Sequence, residues 1–156
     1  MNIYIVRHAE SENNIHGKFC TYTDGDLTDM GRLQAEYCRD ELKNIKFDKV
    51  YSSHLLRAIK TAKIVGRTNE VLQFQELGEM HGGDYEAKTW EELHGLHPYF
   101  HLRMLDNLHC MDLPNGESYK DVKIRLQKFI NDELMNRENK ENKNILIVSH
   151  GITLRI

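Results

Sequence analysis

Three short clusters in this chain combine residue types that can bind and transfer an anionic group: Arg7-His8, Ser52-Ser53 with Arg57, and Ser149-His150. A guanidinium presents fixed donors in a fork that matches phosphate oxygens. An imidazole can be a nucleophile, a proton carrier or a donor near neutral pH. Taken singly, His8 reads most simply as a structural histidine at a strand end, and Arg57 as an exposed helical cation. Brought to one place, the two arginines and two histidines suit a phosphorylated substrate.

The elements that must position them are legible. Runs rich in β-branched residues at 2–6, 49–51 and 144–148 read as buried strands, and each is followed directly by one of the clusters. Between them lie helical patterns. Leu55, Ala58, Ile59, Ala62 and Val65 form one apolar stripe, with Arg57 in the first turn, where free backbone N–H groups also favour an anion. Thr28 is placed to cap a second helix, with Met30, Leu33, Tyr37 and Leu42 at helical spacing. Gly31 in its first turn weakens its propensity. Ser118 with Asp121 opens a third helix with a Val122, Leu126, Phe129, Ile130, Leu134 stripe, and Thr89 with Glu92 caps a shorter one. The 137–143 run reads as a solvated loop. Strands alternating with helices predict a layered α/β domain with a mainly parallel sheet, whose ligand site lies beyond the carboxyl ends of the strands. All three clusters fall at that edge.

Composition narrows the function classes. With 156 residues, 40% apolar and 29% charged, the chain reads as one globular domain over 1–156. A net charge of −3 provides no positive field for nucleic acid, so no nucleic-acid partner is expected. Cys20, Cys38 and Cys110 form no Cys-x-x-Cys pair and read as reduced thiols. No run is long and apolar enough for a membrane span or a secretory leader, so the expected location is the cytoplasm.

Arg7-His8-Ala9-Glu10 resembles the Arg-His-Gly-Glu signature of the histidine phosphatase superfamily, the phosphoglycerate-mutase-like proteins. Further landmarks follow in order: Asn14; Leu27-Thr28 with Gly31 and Gln34-Ala35; Ser52-Ser53 with Leu56-Arg57-Ala58 and Thr61-Ala62; Glu76-Leu77-Gly78-Glu79 with Gly83 and Glu86; Asn115-Gly116-Glu117-Ser118; and Ser149-His150-Gly151. Tyr22-Thr23-Asp24 and Glu79-Met80 before Gly83-Asp84-Tyr85-Glu86 are most similar to the small phosphatases, including alpha-ribazole phosphatase.

The resemblance implies a three-layer α/β/α sandwich and hydrolysis of a small phosphomonoester through a phosphohistidine on His8. Its neutral ring would be held in one tautomer. Arg7, Arg57, Asn14 and His150 would hold the phosphoryl oxygens, and Glu79 would protonate the leaving oxygen and then deprotonate water. Cys20, Thr21 and Tyr22 would form the substrate rim, with Phe19, Tyr85 and the 94–109 region as further specificity candidates. Glu10 is expected to orient the first loop by ion pairing. The family needs no metal or cofactor, and His94, His97, His101, His109 and Cys110 lack carboxylate or cysteine partners at tight spacing, so no metal site is expected.

Two departures stand out. Ala9 replaces the usual glycine. Relatives also continue well beyond the second histidine, so this chain is expected to lack the family's C-terminal part. That leaves apolar sheet surface open at a cost of about 25 cal/mol per Å² unless a neighbouring chain covers it as a homo-oligomer. The alternatives to a phosphatase are a cofactor-dependent phosphoglycerate mutase and a catalytically impaired phosphate-binding module.

Overall fold

A computed structural model of the chain describes residues 1–96, 113–135 and 143–156. Among them, strands β1 (Asn2–Arg7), β2 (Lys49–Ser53), β3 (Leu72–Phe74) and β4 (Asn144–Ser149) form one parallel sheet in the order β1-β4-β2-β3. The helices are α1 (Glu12–Ile15), α2 (Asp29–Glu41), α3 (Leu56–Gly66), α4 (Trp90–Leu96) and α5 (Tyr119–Phe129), the last continued by a wider turn over Ile130–Leu134.

One sheet face packs Val50, Leu146 and Val148 against Ala58, Ala62 and Val65 of α3 and Ala35 of α2. The other packs Tyr51, Ile145 and Ile147 against Phe129 and Leu134. These are the three layers of an α/β/α sandwich. On the second face, Ile3 and Ile5 of edge strand β1 stand 40% and 61% exposed, in register with buried Ile145 and Ile147.

The register aims the site. Arg7 pairs with Ser149 across β1 and β4, and the His8 N–H donates to the Ser149 carbonyl at 2.9 Å. His8 and His150 therefore leave adjacent strands at the same level.

Local signals explain the helix starts. The Thr28 hydroxyl accepts from the Gly31 N–H, and both predicted capping boxes form, Ser118 with Asp121 and Thr89 with Glu92. Three expectations are corrected. Met30, Leu33 and Tyr37 face solvent, whereas α2 buries Gly31 and Ala35, because α2 lies close against its neighbours and only small residues fit. Gly31 is required rather than merely tolerated: a Cβ there would stand 1.9 Å from the Glu10 carbonyl oxygen. β3 was not expected, since a three-residue edge strand offers too little alternation to read.

Candidate active site

The first loop is locked from behind. The Ala9 N–H donates to Thr61 Oγ1 at 3.0 Å while that hydroxyl donates to the Arg57 carbonyl at 2.7 Å, so α3 fixes the backbone beside His8. Among the described residues Glu10 forms no ion pair. Its carboxylate accepts from the Thr28 hydroxyl at 2.6 Å and its N–H donates to Gln34, which ties the loop to α2 by hydrogen bonds to uncharged partners instead of by ion pairing.

His8 is buried, and its Nδ1 lies 2.8 Å from the Ala9 carbonyl oxygen. A carbonyl only accepts, so Nδ1 carries the hydrogen and Nε2 keeps its lone pair. Burial, reinforced by Arg57 and Arg7, lowers its pKa to about 4 despite the Ala9 bond. The ring is neutral at neutral pH. His150 lies beside it, with ring centroids 5.0 Å apart, and is fully buried. Among the described residues neither of its nitrogens has a hydrogen-bond partner, and burial, with Arg57 and His8 adding to it, pushes its pKa far down. A buried donor without an acceptor is costly, and a phosphoryl oxygen would supply one.

Arg57 is 2% exposed and donates to the carbonyls of Thr21 at 2.6 Å and Thr23 at 3.1 Å. The N-terminus of α3 is not free for an anion, contrary to expectation: the Asp24 carboxylate already accepts from the Leu56 N–H at 2.9 Å. Arg7 is exposed and passes so close to Gly151 that a Cβ there would sit 3.2 Å from the Arg7 guanidinium carbon. Asn14 gives its carbonyl oxygen to the Ser11 N–H and hydroxyl, which leaves its amide hydrogens as the remaining donors.

Glu79 is 7% exposed, and its oxygens accept from the N–H groups of Met80 at 2.9 Å, Ile152 at 3.1 Å and Thr153 at 3.0 Å. The Thr153 hydroxyl stands 3.0 Å from the same carboxylate and 2.7 Å from the Gly78 carbonyl. Its single hydrogen can serve only one of them at a time. Donating to Gly78 turns its lone pairs toward Glu79, which then has an acceptor for a carboxyl hydrogen. The Ser149 hydroxyl donates to the Leu77 carbonyl at 2.8 Å, linking β4 to the acid's segment. Arg125 of α5 grips that segment through the carbonyls of Glu76 at 2.6 Å and Glu79 at 3.0 Å, and is itself paired with Glu117 at 2.8 Å.

A cavity of about 240 Å³ gathers Arg7, His8, Asn14, Cys20, Thr21, Arg57 and Glu79; His150 does not line it but stands beside His8, ring centroids 5.0 Å apart. Lys18, Trp90 and Arg155 line it too. The sequence reading missed these three because no pattern marks a rim residue. Burial raises the Cys20 thiol pKa, so it stays protonated.

Thr21 stands at the rim as expected, with its hydroxyl engaged by the fold, and one rim expectation is corrected. Tyr22 does not line this cavity; its ring packs against His54 and His81. The Thr21 hydroxyl is spent on the fold, donating to Glu86 at 2.6 Å and accepting from the Gly82 N–H at 2.8 Å. Phe19 lines the cavity while belonging to the core, and Tyr85 is a core residue. His94 lies in α4, whereas His97, His101, His109 and Cys110 lie outside the described residues. Among the described residues no three metal-binding side chains cluster, Cys20 and Cys38 are free thiols, and no helix is long and apolar enough to cross a membrane.

Comparison with known proteins gives the family and the fold. The profile of the Histidine phosphatase superfamily (branch 1) matches residues 3–156. The chain is 29% identical over 157 residues to phosphoserine phosphatase 1 of Hydrogenobacter thermophilus, covering 99% of this chain and 73% of that protein. It is 31% identical over 157 residues to a 2,3-bisphosphoglycerate-dependent phosphoglycerate mutase of Cytophaga hutchinsonii, covering 98% and 73%. The alpha-ribazole phosphatase structure from Shigella flexneri superimposes with a TM-score of 0.82 at 31% identity, covering 99% of this chain and 76% of that one.

Proposed function

The chain belongs to the histidine phosphatase superfamily, and we propose that within it the protein hydrolyses a small phosphomonoester, with His8 carrying the phosphoryl group from an alkoxide to water. The observation that carries this reading is the state of the His8 ring. It is neutral, fixed in one tautomer by the Ala9 carbonyl, and set beside two arginines and a second histidine with no hydrogen-bond partner among the described residues.

In the first step the Nε2 lone pair forms a bond to phosphorus as the ester P–O bond breaks, and Glu79 delivers a proton to the departing oxygen. In the second, water attacks phosphorus, Glu79 takes its proton, the P–N bond breaks and inorganic phosphate is released. Arg7, Arg57, Asn14 and His150 stabilise charge on the equatorial oxygens throughout. Thr153, able to accept from or donate to Glu79, suits a carboxyl group that must gain and lose a proton in each cycle. Every step uses side chains of this chain, and none calls for a metal or cofactor.

Phosphoserine and alpha-ribazole phosphate are the substrates to try first, given the names of the relatives. Lys18 and Arg155 at the cavity rim favour a substrate whose remainder is anionic. The mutase reading is kept by the likeness to a phosphoglycerate mutase. It requires the phosphohistidine to survive in water until a second acceptor arrives. A phosphate-binding module would bind vanadate without turnover.

The deciding experiment is turnover of p-nitrophenyl phosphate, phosphoserine, alpha-ribazole phosphate and phosphoglycerates, with rapid quenching to trap an acid-labile adduct and His8→Ala as control. Hydrolysis with an adduct that disappears in the variant supports the reading. Hydrolysis that persists in His8→Ala, with no adduct in the parent, overturns it. Phosphoglycerate interconversion that depends on 2,3-bisphosphoglycerate would favour the mutase.

A further inference from the structure

Arg57 is a nearly fully buried cation that donates to two backbone carbonyls, Thr21 and Thr23, with the Asp24 carboxylate 3.9 Å from the same guanidinium. Those carbonyls belong to an irregular segment with no strand or helix to orient them. The Asn13 amide donates to the Thr23 carbonyl at 2.6 Å and the Gly82 N–H to the Thr21 hydroxyl at 2.8 Å, while one carboxylate gathers the three successive N–H groups of the segment. Glu86 Oε1 accepts from the N–H groups of Thr21 at 2.9 Å, Tyr22 at 3.0 Å and Thr23 at 2.7 Å, and Oε2 accepts from the Thr21 hydroxyl at 2.6 Å. Three successive N–H groups converging on one point repel one another unless an anion fills it. Although half-burial of Glu86 pushes its pKa up, the hydrogen bonds from Thr21 and Thr23 outweigh this and hold the carboxyl below the usual range.

The two contacts share a peptide group. The unit joining Thr21 to Tyr22 donates its N–H to Glu86 and offers its carbonyl to Arg57. Anion and cation polarise that group in the same sense, which strengthens both bonds. The surroundings leave room for little else: a Cβ on Gly82 would come within 2.6 Å of Glu86 Oε2.

We propose that Glu86 is a positioning residue for Arg57, acting through the backbone of residues 21–23 to hold the guanidinium where it meets the phosphoryl group. Glu86 does not touch the substrate, and its effect runs entirely through Arg57. This rests on the reading of Arg57 as a phosphoryl ligand, and the test separates the two.

The test is a thermodynamic cycle on vanadate affinity and on kcat/KM for p-nitrophenyl phosphate, using Glu86→Gln, Glu86→Asp, Arg57→Ala and the two double variants, each checked for folding by circular dichroism. Glu86→Gln is expected to lose about a hundredfold in both quantities, and the charge-retaining Glu86→Asp less than about tenfold. In the Arg57→Ala background either change should cost less than about twofold. A general structural role for Glu86 would cost the same in both backgrounds, and that result overturns the proposal, as does a silent Glu86→Gln. If Glu86→Gln does not fold, the cycle with Glu86→Asp decides: a loss that vanishes with Arg57 supports the proposal and one that persists overturns it. If Arg57→Ala leaves vanadate affinity intact, the phosphate-ligand reading fails first.

Discussion

The rings of His8 and His150 stand 5.0 Å apart, one anchored to a backbone carbonyl and the other buried with neither nitrogen partnered among the described residues. On the proposed mechanism this asymmetry suits a nucleophile and a donor: the first must keep a lone pair outward, and the second needs an acceptor, which none of the described residues provides.

The pH dependence follows. His8 titrates at about 4 in the fold and near 6.5 when unfolded. Its neutral form persists down to about pH 5, so kcat/KM for p-nitrophenyl phosphate should lose no activity through His8 until pH falls toward 4. Stability responds earlier. The unfolded chain takes up the proton first, so stability is greatest above about 6.5 and falls as pH drops toward 4, by on the order of 3 kcal/mol for His8, with His150 acting in the same direction. Urea titrations at pH 7 and pH 5 measure this, and equal midpoints would contradict it.

Glu79→Gln puts an amide among the N–H donors of Met80, Ile152 and Thr153. With an alkyl phosphate, whose leaving oxygen needs a proton, kcat should fall about 10²- to 10⁴-fold. With p-nitrophenyl phosphate the loss should be much smaller. Equal losses on both substrates would remove Glu79 from proton transfer.

Gly31→Ala forces a methyl group against the Glu10 carbonyl, since the Cβ position lies 1.9 Å from that oxygen. The loop bearing His8 and the start of α2 must separate, at a cost of about 3 kcal/mol or more. The melting temperature should drop and turnover should fall with it. An unchanged melting temperature would show that this contact yields readily.

Arg125→Met leaves the Glu76 and Glu79 carbonyls and the Glu117 carboxylate without their partner. About 2 kcal/mol of stability should be lost, with kcat for an alkyl phosphate reduced more than KM is changed. A rise in KM alone would place Arg125 in binding rather than in supporting the acid.

Lys18→Met should raise KM for phosphoserine while leaving p-nitrophenyl phosphate unaffected, because it removes charge from the cavity rim and not from the phosphoryl site. Loss on both substrates alike would contradict the rim assignment.

The sequence by itself determined the architecture and the edge of the sheet at which the candidate site lies. Hydrophobic periodicity reports which face of a strand or helix is buried, and runs ending in Arg7-His8, Ser52-Ser53 and Ser149-His150 fix where parallel strands deliver their side chains. Caps are local too, so Thr28, Thr89 and Ser118 were readable. Only the tertiary structure decided matters that depend on residues far apart in the chain. It turned Met30, Leu33 and Tyr37 outward because α2 packs through Gly31 and Ala35. It gave the Thr21 hydroxyl to Glu86, 65 positions away, and moved Tyr22 out of the cavity that Lys18 and Arg155 line. It also closed the α3 N-terminus with Asp24 and seated Glu79 on the Ile152 and Thr153 amides. A side chain's hydrogen-bonding capacity belongs to the residue, but which partner consumes it is fixed by the distance between segments, and no local pattern encodes that distance.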